Sequence, residues 1–131
     1  MTGKCQNLKF GFTAAATSAD TECSSDGERY AQMLTDCKLG FELGYDCAWV
    51  LEHHFTDYFP TPSPIVVMSH LAAAFPGLSL GSCVLVLPWY NPLRLAEEIS
   101  MLSHFCKGDL HLAFGRGTAK IEYDAYDIDM S

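Results

Sequence analysis

The chain has 131 residues, 49% of them hydrophobic and 18% charged, which is enough for one buried core and short for two full domains. That balance is far from the low-hydrophobicity, high-charge signature of a disordered chain. Eight Lys and Arg against sixteen Asp and Glu leave a net charge of -8, which repels a phosphate backbone and argues against nucleic acid as a partner.

Leu8 to Thr13 alternates apolar with small or polar residues and predicts a first strand, followed by a long Ala-, Ser-, Thr- and Asp-rich loop from Ala14 to Asp26. Ser25 with Glu28 three residues on is a capping box. It opens a helix whose apolar positions Tyr30, Met33, Leu34, Cys37 and Phe41 recur at helical spacing, and Gly44 closes it. Cys47 to Leu51 is an unbroken apolar run of strand length, of the kind buried on both faces of a parallel sheet. Ser63-Pro64 supplies an N-cap and first helical position for an apolar helix over Ile65 to Phe75, stopped by Pro76-Gly77. Leu78 to Leu87 is a third strand, ended by Pro88. Asn91-Pro92 starts a third helix with Leu95, Ala96, Ile99, Leu102 and Cys106 along one stripe and Arg94 paired to Glu98 on another face. Leu110 to Gly115 is a fourth strand, and the polar, acidic remainder is at most the start of a fourth helix.

The order βαβαβαβ, at about 30 residues per unit, is an α/β parallel sheet with helical crossovers. Two closures fit it: a small doubly wound sheet, or a half-barrel made of the first four units of a TIM barrel. Thr13 to Thr17 carries no GxGxxG phosphate fingerprint, so the half-barrel is favoured.

In either closure ligands lie at the carboxyl ends of the strands. Glu52-His53-His54 follows the second strand, Pro88-Trp89-Tyr90 the third and Arg116-Gly117 the fourth. A lone loop His is more often structural than catalytic. Two of them behind Glu52, which can orient a ring nitrogen, point to a base that titrates near neutral pH. Arg116, flanked by Gly115 and Gly117, is the residue type that grips a phosphate. Trp89 and Tyr90 are expected as pocket wall, and Trp49, Met33, Met68 and Met101 as core. The six cysteines form no CxxC pair and read as free thiols of a cytoplasmic protein. His53-His54 lacks a further residue at metal-ligand spacing, so no metal site is expected. No apolar run is long enough to cross a membrane, and the first residues lack the apolar stretch of a signal peptide.

The run Trp49 to Tyr58, with Glu52-His53-His54-Phe55-Thr56-Asp57 at its centre, resembles the bacterial luciferase family, the flavin-dependent luciferase-like monooxygenases. The resemblance continues in register through Leu39 to Asp46, Ser63-Pro64, Leu80 to Pro88, Asn91 to Glu98, Leu102 to Gly108 and Phe114 to Gly117. It implies a TIM barrel that binds reduced FMN, taken from a separate flavin reductase, and uses O2 to oxidise an aldehyde or another small organic substrate. By position, His53 resembles the catalytic base, with Glu52 and His54 beside it. Arg116 resembles the arginine on the flavin phosphate, with Gly115 preceding it. Cys83-Val84 falls where the family has a non-proline cis peptide beneath the flavin, and Glu122 near an acidic position of the loop after strand four. Gly115 stands where the light-emitting luciferases carry a cysteine, which implies a general oxygenase rather than a light emitter.

The resemblance covers residues 1–131 as the N-terminal half of such a barrel domain. Four strands cannot close a barrel, and unpaired edges call for a partner, a second copy making a homodimer, an open sheet, or the remainder of a longer chain. The alternatives to the oxygenase are a non-catalytic flavin-binding or structural half-barrel, and a deazaflavin-dependent oxidoreductase.

Overall fold

Each of the first three helices begins at its expected cap. Ser25 accepts from the Glu28 N–H while Glu28 accepts from the Ser25 N–H, closing the capping box. Ser63 Oγ accepts from Val66 N–H, and Asn91 Oδ1 accepts from Leu93 and Arg94 N–H, each followed by a proline at the first helical position. These are local interactions between residues two or three apart, which is why they are legible in sequence.

The computed structural model describes residues 8–17 and 25–130. Its elements are β1 (Gly11–Ala14), α1 (Asp26–Glu42), β2 (Cys47–Val50), α2 (Pro64–Ala74), β3 (Ser79–Val86), a 3₁₀ turn at Leu87–Trp89, α3 (Pro92–Phe105), β4 (Leu110–Gly115) and α4 (Lys120–Tyr126). Gly44, at φ +82°, ends α1 in a Schellman motif: Tyr45 N–H donates to Gly40 O and Gly44 N–H to Phe41 O, both at 3.1 Å. Much of the loop expected over Ala14 to Asp26, together with Cys5 and Cys23, lies outside the described residues.

The four strands are parallel and ordered β1-β2-β3-β4. Met33 and Cys37 of α1, Met68 and Leu71 of α2, and Leu95 and Leu102 of α3 meet Ala14, Ala48, Val50, Leu80 and Leu85 in one core. All three helices therefore cover the same face. Sequential strand order with helices on one side is the wall of a (β/α) barrel and excludes the doubly wound alternative, in which the order reverses and both faces are covered.

The structure departs from the sequence expectations at Trp49, at the bounds of β1 and on α3. Trp49 is half-buried, not enclosed, because it lies over Gly11 and Gly81 and stacks on His111 at 5.8 Å on the face no helix covers. Strand β1 starts at Gly11 instead of Leu8, since pairing with β2 begins at Gly11↔Cys47 and the Phe10 N–H goes to Asp46 Oδ2. It runs one residue further, so Ala14 is a buried strand residue rather than loop. On α3, Ala96 faces solvent and Met101 is 56% exposed, because only Leu95 and Leu102 point squarely at the sheet.

Candidate functional site

The ends of β2, β3 and β4 open on a cavity of about 300 Å³. Seven of the sequence-predicted residues line it: Glu52, His53, Cys83, Val84, Gly115, Arg116 and Glu122. The eighth, His54, turns to the other side of its loop, towards a second cavity with Phe55, Asp57 and Tyr126. His53 borders that second cavity as well, so it lies between the two, while His54 reaches only the second.

The Cys83–Val84 peptide bond is cis, at the position the resemblance implies. It coincides with the register irregularity between Ser82 and Leu85, where Ser82 Oγ bonds both the N–H and the carbonyl of Ala113. Arg116 is exposed, and its side chain makes no ion pair among the described residues. Gly117, at φ +75°, lets the chain turn after it, and a Cβ there would meet Val86 Cγ1 at 2.8 Å.

Behind the cavity lies a buried polar line. Glu52 is 4% exposed; its Oε1 meets His54 Nε2 at 2.9 Å, and its Oε2 accepts the Val86 N–H at 2.9 Å. The far nitrogen of the same ring, His54 Nδ1, meets Tyr126 Oη at 2.8 Å. The carboxylate partner requires the hydrogen on His54 Nε2 to donate to Glu52, and the Tyr126 hydroxyl satisfies the ring's other nitrogen. Burial raises the Glu52 carboxyl above its ordinary range, with the His54 and Val86 bonds opposing that rise. Tyr90 sits beside this carboxylate, and burial, followed by the Glu52 charge, pushes its phenol well up.

Glu52, expected to orient a ring nitrogen of the histidine pair, meets that of His54. The carboxylate that faces His53 is Glu122, whose Oε1 lies 3.5 Å from His53 Nδ1 and also accepts the His54 N–H at 3.1 Å. Tyr126 gave no sequence expectation at all. The available signal was Glu122 and Tyr126 four apart on one face of a short helix in an otherwise polar tail. Trp89 stacks on Tyr126 at 5.0 Å and meets Tyr123 edge-on, so it packs α4 down rather than lining the 300 Å³ cavity.

Residues 9–131 match the family model of luciferase-like monooxygenases. The chain belongs to that family. It is 32% identical over 94 residues to the alkanal monooxygenase alpha chain of Photorhabdus luminescens, covering 72% of this chain and 26% of that relative. It is 28% identical over 95 residues to the oxygenase component of the flavin-dependent trigonelline monooxygenase of Acinetobacter baylyi, covering 72% and 26%. Among solved structures it resembles the monooxygenase RslO1 from Streptomyces bottropensis, with TM-score 0.84 and 27% identity over 94% of this chain and 37% of that one. The oxygenating constituent of 3,6-diketocamphane monooxygenase from Pseudomonas putida, in complex with FMN, shares the fold at TM-score 0.83 and 18% identity, over 95% and 34%. The chain thus spans about a quarter to just over a third of the length of these luciferase-like proteins. Among the described residues no helix is long and apolar enough to cross a membrane.

Proposed function

We propose that this chain forms the flavin-binding front of a luciferase-like monooxygenase that uses reduced FMN and O2 to oxidise a small organic substrate such as an aldehyde. One observation carries the reading: Glu52, His53, Cys83, Val84, Gly115, Arg116 and Glu122, drawn from the segment after β2, from β3, from the end of β4 and from α4, line a single cavity. The donor set suits a flavin. Arg116 offers a permanently charged guanidinium for a phosphate, Val84 and Val86 offer apolar surface for a planar ring, and His53 offers a proton carrier at its edge.

Reduced flavin, when bound, supplies the electrons that activate O2. The chain's own residues bind, orient and move protons. Arg116 anchors the phosphate end. His53 acts as the base towards the substrate, while Glu52 and His54 keep the loop that carries it rigid from behind. The FMN held by a neighbour of the same fold, and a relative described as the oxygenase component of a flavin-dependent system, support the cofactor and a separate flavin reductase. The alkanal monooxygenase relative supports an aldehyde. The outer edges of β1 and β4 pair with no strand among the described residues, which supports a second copy in a homodimer, and the free thiols support a cytoplasmic setting.

The test is an anaerobic titration of the chain with reduced FMN, following flavin fluorescence and sedimentation mass together. Saturable binding to a defined oligomer supports the reading, and absence of binding overturns the flavin site. Turnover of an aldehyde by His53→Ala equal to that of the unaltered protein overturns the base. Product formation sustained by a deazaflavin in place of FMN favours the deazaflavin oxidoreductase.

A further inference from the structure

A histidine base works only if the correct ring nitrogen is left free to take the proton, so something must choose the tautomer of His53. Glu52 does not do so: among the described residues its oxygens go to His54 Nε2 and the Val86 N–H, each at 2.9 Å, and neither meets the His53 ring. The ring of His53 is held on its face by Phe59, stacked at 5.3 Å and 20°, with Tyr58 tilted at 6.0 Å. These aromatics fix the plane and leave rotation of the edge open. At that edge, Nδ1 lies 3.5 Å from Glu122 Oε1, and Nε2 has no hydrogen-bond partner among the described residues.

We propose that Glu122 is the positioning residue for His53: its buried carboxylate selects the tautomer with hydrogen on Nδ1 and so leaves Nε2 as the proton acceptor. This rests on the reading of His53 as the base. The carboxylate is 2% exposed, so its attraction for an N–H is little screened by water. It is immobilised by the His54 backbone N–H at 3.1 Å, which ties α4 to the loop after β2 across 68 residues of sequence. The same oxygen therefore registers the backbone of one histidine and the ring of the other. At 3.5 Å the ring contact is electrostatic, a separation typical of catalytic pairs that tighten when the site fills.

The experiment uses the cofactor-free chain labelled with ¹⁵N, at about pH 8.5, where an ordinary imidazole is neutral. The ring ¹⁵N signals of His53 are assigned by their loss in His53→Gln. The expected result is a protonated-type Nδ1 and an unprotonated-type Nε2. Glu122→Gln, whose amide oxygen still accepts, keeps that pattern, whereas Glu122→Ala moves the population several-fold towards hydrogen on Nε2. A wild-type ring with hydrogen mainly on Nε2 overturns the proposal, and so do identical ring signals in wild type and a folded Glu122→Ala. Should Glu122→Ala lose its circular dichroism, the wild-type and Glu122→Gln spectra decide alone. Undiminished aldehyde turnover by His53→Ala overturns the base assignment while leaving the tautomer result to stand or fall separately.

Discussion

The Glu52 carboxylate and the His54 imidazole meet at 2.9 Å behind the end of β2, with 4% and 7% of the two residues exposed. Their contact is the middle of a line running from the Val86 N–H to the Tyr126 hydroxyl, and it joins β2, β3 and α4. Removing the carboxylate strands two buried donors at once. Glu52→Ala should cost about 2–5 kcal/mol of folding stability, read from urea unfolding. A loss below about 1 kcal/mol would show that water replaces the carboxylate freely.

The same carboxyl carries a pH signature. Burial raises its pKa above the ordinary 4.5, so its contribution to stability is fully present below that value and is lost as pH rises through the higher folded value. Glu52→Gln removes this titration. The difference in unfolding free energy between the variant and the wild type should therefore shift in the variant's favour as pH climbs from about 4.5 into the neutral range. A difference that stays constant across that range contradicts the raised value.

On the uncovered face of the sheet, the glycines are packing residues. A Cβ at Gly81 would lie 2.4 Å from Trp49 Cε3, and one at Gly11 would lie 2.5 Å from Trp49 Nε1. Gly81→Ala should cost about 1–3 kcal/mol and shift the Trp49 emission, because the indole must leave its place on His111. In a Trp49→Leu background the same substitution should cost less than half as much, and an equal cost would mean that the backbone rather than the indole resists the methyl group.

Arg116, proposed as the phosphate anchor, provides the contrast of a side chain with no ion pair among the described residues. Its side chain is exposed between Gly115 and Gly117, so Arg116→Ala should leave unfolding within about 0.5 kcal/mol of wild type. Loss of a charged contact to phosphate, about 1.5–3 kcal/mol, should weaken reduced FMN binding by roughly 10- to 150-fold. Lys at this position recovers part of the affinity, since it returns the charge without the fork. Unchanged affinity in the Ala variant would remove Arg116 as the phosphate anchor.

How far these features are readable from sequence follows their range along the chain. The caps at Ser25, Ser63 and Asn91 join residues at most three apart and read directly. The Glu52–His54 pair is two residues apart, yet which histidine Glu52 would hold depended on how the loop turned. The Glu122 contact with His54 spans 68 residues and Tyr126 with His54 spans 72, and no periodicity reports such pairs. Leu8 and Phe10 misled for a different reason: their alternation looks like a strand, but at 79% and 62% exposed they lie before the first paired residue, Gly11. Position at strand ends pointed to Glu52, His53 and Arg116, and the family resemblance added Cys83, Val84 and Glu122 to the cavity lining.

Thiol chemistry separates site from core without any cofactor. Burial, aided by the Asp36 charge, pushes Cys37 to about 11, and burial with Asp46 and Asp109 does the same to Cys47, so both stay protonated near pH 8. Cys106 is half-buried and also raised, whereas Cys83 is exposed on the cavity wall. In a Cys5→Ser, Cys23→Ser background, Ellman's reagent should therefore show one fast phase that Cys83→Ser abolishes, with the remaining thiols released on unfolding. Because Cys83 and Arg116 line the same cavity, blocking that thiol should prevent reduced FMN binding, and bound FMN should slow the fast phase. If the blocked protein binds flavin as well as the free one, the cis peptide does not lie under the ring, and the cofactor site moves away from β3.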